Sequence, residues 1–170
     1  IKLVRAMGTV GPSADALEWI DLEEQSPVTR RMLTERHLVS SMLADATHPA
    51  AVAVGPELCR SIMVNEEDHL RIQGLSSGLQ LRETWEHVDE ADSLLEERLD
   101  FAFSSQYGYL TVCPTNCGTG LRASVMLHLP GLVFANQIEA ITQAVHTIGF
   151  AVRGLYGEGS DTDGNLFQIS

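Results

Sequence analysis

Tyr109-Leu110-Thr111-Val112-Cys113-Pro114-Thr115-Asn116-Cys117-Gly118-Thr119-Gly120-Leu121-Arg122-Ala123-Ser124-Val125-Met126-Leu127-His128-Leu129 holds the pattern on which the fold turns. Tyr109–Cys113 is apolar and strand-like, Pro114-Thr115-Asn116 with Gly118 makes a turn, and Ala123–Leu129 reads as a further strand. Upstream, Leu81, Trp85, Val88, Leu95 and Leu99 share one helical face between Leu79 and Leu99, with Glu and Asp on the other. Ala50–Val54 and Arg60–Val64 read as short strands around Gly55-Pro56, and His69–Leu75 as another. Ser26-Pro27 marks a helix start, with Pro at the first helical position, and that helix runs to about Glu35. Downstream, Ile138, Ile141, Val145 and Ile148 mark an amphipathic helix closed by Gly149. Phe150–Arg153 and Leu166–Ile169 read as strands around the Gly- and Asp-rich loop Gly154–Gly164. No βαβ alternation is present. The expected class is α+β. Residues 50–75, 109–129 and 150–170 should supply strands to one mainly antiparallel sheet, with the helices packed on one face. Residues 1–25 give no clear assignment.

The 170 residues suit a single domain with a sizeable core, and 44% of them are hydrophobic. No apolar run reaches about 18 residues, so no membrane-spanning helix is expected. The chain opens on Ile1 and has no n-region and h-region pair, so no signal peptide is read. A net charge of −12 argues against general nucleic-acid binding and against a basic membrane-binding patch. Cys59, Cys113 and Cys117 are an odd, sparse set, which fits a reducing cytoplasm, and no matching pair makes Cys113-x3-Cys117 a zinc site. Of eleven cationic side chains, ten are arginine and only Lys2 is lysine. Neither a P-loop lysine nor a protein-kinase β3 lysine is therefore available. Any phosphoryl transfer here must hold phosphate with arginine and backbone N–H groups.

Three segments put an arginine beside a carboxylate or thiol in a turn or at a strand end. They are Asn65-Glu66-Glu67-Asp68-His69-Leu70-Arg71, Cys113 to Val125, and Arg153-Gly154-Leu155-Tyr156-Gly157-Glu158-Gly159-Ser160. Taken singly, each has an ordinary reading. The acids form a solvated turn, Arg71 pairs with Asp68 on the surface, and Arg122 and Arg153 pair with other carboxylates. Taken together, NEEDHLR, CPTN-x-GTG-x-RASV and RG-x-x-GE resemble the signatures of the phosphagen kinases, the ATP:guanidino phosphotransferase family. The bacterial branch, whose members phosphorylate arginine side chains of proteins, fits best. That likeness extends through Glu35–Ser40, Leu75–Leu81, Leu127–Leu132 and Gly157–Ser170, and covers residues 26–170. The family's Ser-x-Arg-x-Arg motif is absent, so the chain reads as an incomplete C-terminal catalytic domain with a glutamine-synthetase-like fold. Gly74 and Cys117 stand where a larger residue and a plain apolar one are expected.

The resemblance implies a mechanism. A guanidinium is a poor nucleophile, with a pKa above about 12, and must lose a proton as its nitrogen attacks phosphorus. Glu67 and Glu158 match the family's two carboxylates, which orient the guanidinium and take that proton. Cys113 matches a cysteine that lies beside the guanidinium as a thiolate and gives electrostatic help without forming a covalent bond. Arg71, Arg122 and Arg153 match the phosphate-binding arginines. The nucleotide-binding set is completed by His37 near the adenine, by Ala123, Ser124, Val125 and Met126, and by Gly154, Leu155, Tyr156 and Gly157. ATP and Mg²⁺ are implied, with the metal held by phosphates and water and no protein ligand. The implied partners are a heat-shock repressor and misfolded proteins with exposed arginine, an activator protein and a Clp-type protease, in a cytoplasmic stress response. The short loop around Glu158 favours a protein substrate over free arginine. A kinase of free arginine, and a truncated chain that only binds nucleotide or a partner, stay open as alternatives.

Overall fold

The computed structural model describes residues 17–55, 59–154 and 163–170. They fall into two compact units divided after Gly120.

The first unit is built on a four-stranded antiparallel meander, in order β1 (Glu18–Asp21), β2 (Ala51–Val54), β3 (Arg60–Val64) and β4 (Leu70–Gly74). All four residues of β2 are buried, and the period of two sends alternate side chains to opposite faces. Val52 and Val54 join Leu22, Leu33, Leu38, Leu43 and Met63, whereas Ala51 and Ala53 join Ile62, Val64, Ala91 and Leu95. The first set is covered by α1 (Pro27–Glu35) and α2 (Ser41–Ala44), the second by α3 (Leu81–Glu96). Helices therefore cover both faces of this sheet, not one as the sequence suggested. A strand buried on both sides reads as a continuous apolar run, as β2 does.

The helix starts follow from side-chain capping. Ser26 Oγ accepts from the Thr29 N–H at 3.1 Å ahead of Pro27, and Ser40 Oγ accepts from the Leu43 N–H at 3.0 Å. The unassigned N-terminal stretch contributes β1, which pairs with β2 from Glu18↔Val54 to Asp21↔Ala51.

Beyond α3, the strand expected over Tyr109–Cys113 ends at its first residue. Only β5 (Phe103–Ser104) and β6 (Gly108–Tyr109) pair there. Tyr109 N–H then bonds Gly118 C=O at 2.8 Å, and Gly118 N–H returns to Tyr109 C=O at 3.2 Å. These bonds close residues 110–117 into a loop. A Cβ on Gly108 would overlap the carbonyl of Gly118, so this closure requires glycine.

The second unit has a three-stranded antiparallel sheet in order β7 (Val125–His128), β9 (Leu166–Ile169), β8 (Val152–Gly154). Between β7 and β8 lie α4 (Pro130–Phe134), which the sequence reading missed, and α5 (Ile138–Thr147), which Gly149 follows at φ +92°. Among the described residues the strands thus form three sheets rather than the one expected. The physical reason is local. Pro114 lacks a ladder donor, and Gly118 and Gly120 take φ of +125° and +65°, so the chain cannot stay extended from Tyr109 into β7.

Gly74 now has an explanation. A Cβ there would lie 2.9 Å from the Thr84 and Val88 methyls of α3, so glycine lets α3 settle onto β4. Gly74→Val should lower stability by about 1–3 kcal/mol through overpacking, read as a lower urea midpoint. Leu95→Ala, from the same contact layer, should cost about 2–5 kcal/mol by leaving a cavity.

Candidate active site

The acidic segment is the turn between β3 and β4. Asn65 adopts φ +65°, which asparagine tolerates better than most residues. It is fastened on three sides. Its N–H bonds His69 C=O at 2.9 Å, its Nδ2 donates to Pro49 C=O at 2.6 Å, and its own C=O lies 2.8 Å from His48 Nε2. Three consecutive acids then have three different surroundings. Glu66 has a side chain only 8% exposed. It receives the Ser40 hydroxyl on one oxygen and faces Arg71 Nη1 at 3.6 Å with the other, an ion pair longer than a hydrogen bond. Glu67 is exposed. Asp68 turns towards the 110–117 loop, where Oδ1 accepts the Val112 N–H at 2.7 Å and Oδ2 accepts Asn116 Nδ2 at 3.1 Å. Arg71 thus pairs with Glu66 rather than with Asp68, as the surface reading had it.

The loop itself is wound around the carbonyl of Cys113. That oxygen accepts the Thr111 hydroxyl at 2.6 Å and the Asn116 N–H at 3.0 Å, and the latter bond opens the 3₁₀ turn Pro114–Asn116. Cys113 Sγ lies 2.9 Å from Thr115 Oγ1, and Cys117 Sγ lies 3.3 Å from Thr111 Oγ1. The Thr111 hydrogen bonds hold the Cys117 thiol below its ordinary range, against opposition from partial burial and the Asp68 charge. Segments far apart in sequence, the acidic turn and the Cys113 loop, are therefore joined through Asp68. Gln73, two residues past Arg71 on β4, donates to the backbone C=O of His37, which takes φ +57°. His37 is thereby tied to the strand that bears Arg71.

In the second unit, Arg153 of β8 pairs in register with Gln168 of β9, which pairs with Met126 of β7. In-register residues share a face, and Gln168 Nε2 donates to Ser124 Oγ at 2.7 Å, just before β7. Ser124 and Met126 therefore lie on one side of Gln168 and Arg153 on the other, and Gln168, not singled out in the sequence, stands between them on the shared face. Arg122 and Ala123 precede β7, Val125 opens it and Gly154 ends β8. Leu155, Tyr156, Gly157 and Glu158 lie outside the described residues.

A family model for the ATP:guanido phosphotransferase C-terminal catalytic domain matches residues 2–170. The chain belongs to this family. The match takes in residues 2–25, where the sequence reading found little signal. The chain is 53% identical over 154 residues to a protein-arginine kinase of Pelotomaculum thermopropionicum, covering 91% of this chain and 43% of that relative. It is 51% identical over 168 residues to one from Symbiobacterium thermophilum, covering 98% of this chain and 47% of that one. The chain thus spans less than half the length of these relatives. Among solved structures, the duplicated taurocyamine kinase of Schistosoma mansoni with bound transition-state-analogue components superposes with a TM-score of 0.82. The identity is 26%, over 99% of this chain and 25% of that one. A lombricine kinase shares the fold with a TM-score of 0.74 at 24% identity, over 99% of this chain and 51% of its own.

The Thr111 arrangement has a direct test. A lowered thiol pKa leaves more thiolate at neutral pH, and thiolate is the form that alkylates. Thr111→Val removes the hydroxyl, whose one proton goes either to the Cys113 carbonyl or to the Cys117 thiolate, and leaves the Thr111 backbone N–H, so Cys117 should react more slowly with iodoacetamide at neutral pH. The midpoint of its pH profile should move upward. Peptide mapping by tandem mass spectrometry separates Cys117 from Cys113.

Proposed function

We propose that this chain provides catalytic-domain residues of an ATP-dependent kinase that phosphorylates arginine side chains of proteins. Identity of 51–53% to protein-arginine kinases over most of the chain supports the substrate class. The geometric support is the link between the acidic turn and the Cys113 loop, two segments 44 residues apart held together by one carboxylate.

The chemistry follows from these residue types. Glu67, exposed beside the fastened turn, grips the substrate guanidinium together with Glu158 and accepts its proton as the N–P bond forms. The Cys113 sulfur lies beside the guanidinium and stabilises it electrostatically, taking no part in bond making. Arg71, Arg122 and Arg153 spread the charge of the transferring phosphoryl group. Arg71 is oriented for this by Glu66. Ser124 and Met126, across Gln168 from Arg153, and His37, tied to β4, belong to the nucleotide side of the reaction. ATP is the phosphoryl donor: the bond from its γ-phosphorus to the β–γ bridging oxygen breaks as the N–P bond forms, and ADP leaves. Mg²⁺ arriving with the nucleotide would neutralise phosphate charge. Phosphoarginine formed on a heat-shock repressor or on misfolded proteins would mark them for a Clp-type protease in the cytoplasm, with an activator protein as a further partner.

The test uses the complete enzyme and an assay for acid-labile phosphoarginine, on a protein substrate and on free arginine. Glu67→Gln and Glu158→Gln keep size and remove charge. Each should lower kcat by about 10²–10⁴-fold and leave ATP affinity nearly unchanged, because arginines hold the nucleotide. Near-normal turnover in either variant would overturn the assignment of the base pair. Labelling of free arginine alone would overturn the substrate class.

A further inference from the structure

We propose that Asp68 is a positioning residue that sets the placement of Cys113 relative to Glu67, and that its partner in this is Asn116. The inference rests on the reading of Glu67 and Cys113 given under the proposed function. The two carboxylate oxygens of Asp68 accept from Val112 N–H and from Asn116 Nδ2, residues on either side of Cys113. A carboxylate held on both oxygens by donors at 112 and 116 restrains the short segment Cys113-Pro114-Thr115 between them in position and in rotation. Asp68 is also the chain neighbour of Glu67, so its own placement is coupled to that of the carboxylate.

Both ends of this clamp are firm. On the turn side, Asn65 is bonded to His69 and Pro49 and lies against His48, and Glu66 is held by Ser40 and Arg71. On the loop side, Thr111 and Asn116 both bond the Cys113 carbonyl, and the Tyr109–Gly118 pair closes the mouth. Each side is thus rigid within itself, and Asp68 joins the two. Hydrogen bonds to an ionised acceptor are short and strong, and 2.7 Å from Val112 N to Oδ1 fits that description. Reacting groups must be held to within a fraction of an ångström for efficient transfer. A residue that sets the spacing therefore acts on turnover without touching substrate.

The experiment exchanges the partners in the complete enzyme. Asp68→Asn removes the charge, so the Val112 contact becomes a neutral hydrogen bond and the Asn116 amide must turn its oxygen to the new amide to keep the other. Asn116→Asp sets carboxylate against carboxylate. The double variant restores a donor–acceptor pair with its polarity reversed. Two readouts are taken for each protein: the pH profile of Cys113 alkylation, mapped by tandem mass spectrometry without ATP or substrate, and the separate kcat and KM for ATP. Each single variant should shift the Cys113 reactivity severalfold and lower kcat by up to about 10²-fold, with KM for ATP nearly unchanged. The double variant should recover most of both losses. Unchanged Cys113 reactivity in Asp68→Asn would overturn the proposal, as would a kcat loss matched by an equal rise in KM, or no recovery on exchange. If Asp68→Asn does not fold, Asn116→Ala decides the matter by the same two readouts, because it leaves the turn intact. The alkylation readout is independent of the reaction, so its failure is distinct from a parent enzyme that makes no phosphoarginine.

Discussion

The first unit depends on one constraint, the burial of β2 on both faces. A strand with no polar face cannot face water, so apolar cover must be found on each side. Leu33 of α1, Leu43 of α2 and Leu38 of the segment between them supply it on one side, and Ala91 and Leu95 of α3 on the other. With β2 and β3 fixed between these layers, the β3–β4 turn is held at the end of a rigid sheet. A scaffold of this kind lets a loop carry chemistry without wandering. The small residues Ala51, Ala53 and Gly74 on the α3 side let the helix approach closely.

Charge is handled by division of labour within three adjacent acids. An isolated buried carboxylate is costly, and Glu66 is tolerated because Ser40 and Arg71 meet its two oxygens. That contact also restrains Arg71, whose side chain is half exposed and so keeps N–H groups free to meet an anion. Asp68 offsets its burial with two donors from the loop, and Glu67 keeps its solvent access. Ser40 serves twice, as cap of α2 and as donor to Glu66, so helix and turn are locked through a single hydroxyl.

Much of this was legible in the sequence, for reasons that differ from element to element. Ser26-Pro27 announces α1 because the cap and the fixed φ of proline are local chemistry, and α3 announces itself by its 3.6 period. The family was readable from three short motifs, and the model match to residues 2–170 agrees with them. What was hidden depends on tertiary context. Ala51-Val52-Ala53-Val54 gives a strand but cannot say that both faces are covered. Tyr109–Cys113 has strand composition, yet the Tyr109–Gly118 pair and Pro114 turn it into a loop. Glu66, Glu67 and Asp68 are three similar letters, and only geometry separates a buried ion-pair partner, an exposed carboxylate and a clamp. The face shared by Arg153, Gln168 and Met126 needs the strand register, which no periodicity within one strand reveals.

The order of pairing in the meander carries a kinetic consequence. β3 and β4 are joined by residues 65–69 and β2 lies just before them, so their pairing closes small chain loops at low entropic cost. β1 must wait for two helices to intervene, and the contact between Asp68 and Val112 closes 44 residues. Long-range closures follow local ones when entropy is lost before contacts repay it. The cysteine loop is therefore among the last parts of this unit to take its native place, and a chain halted before that step already has a complete meander.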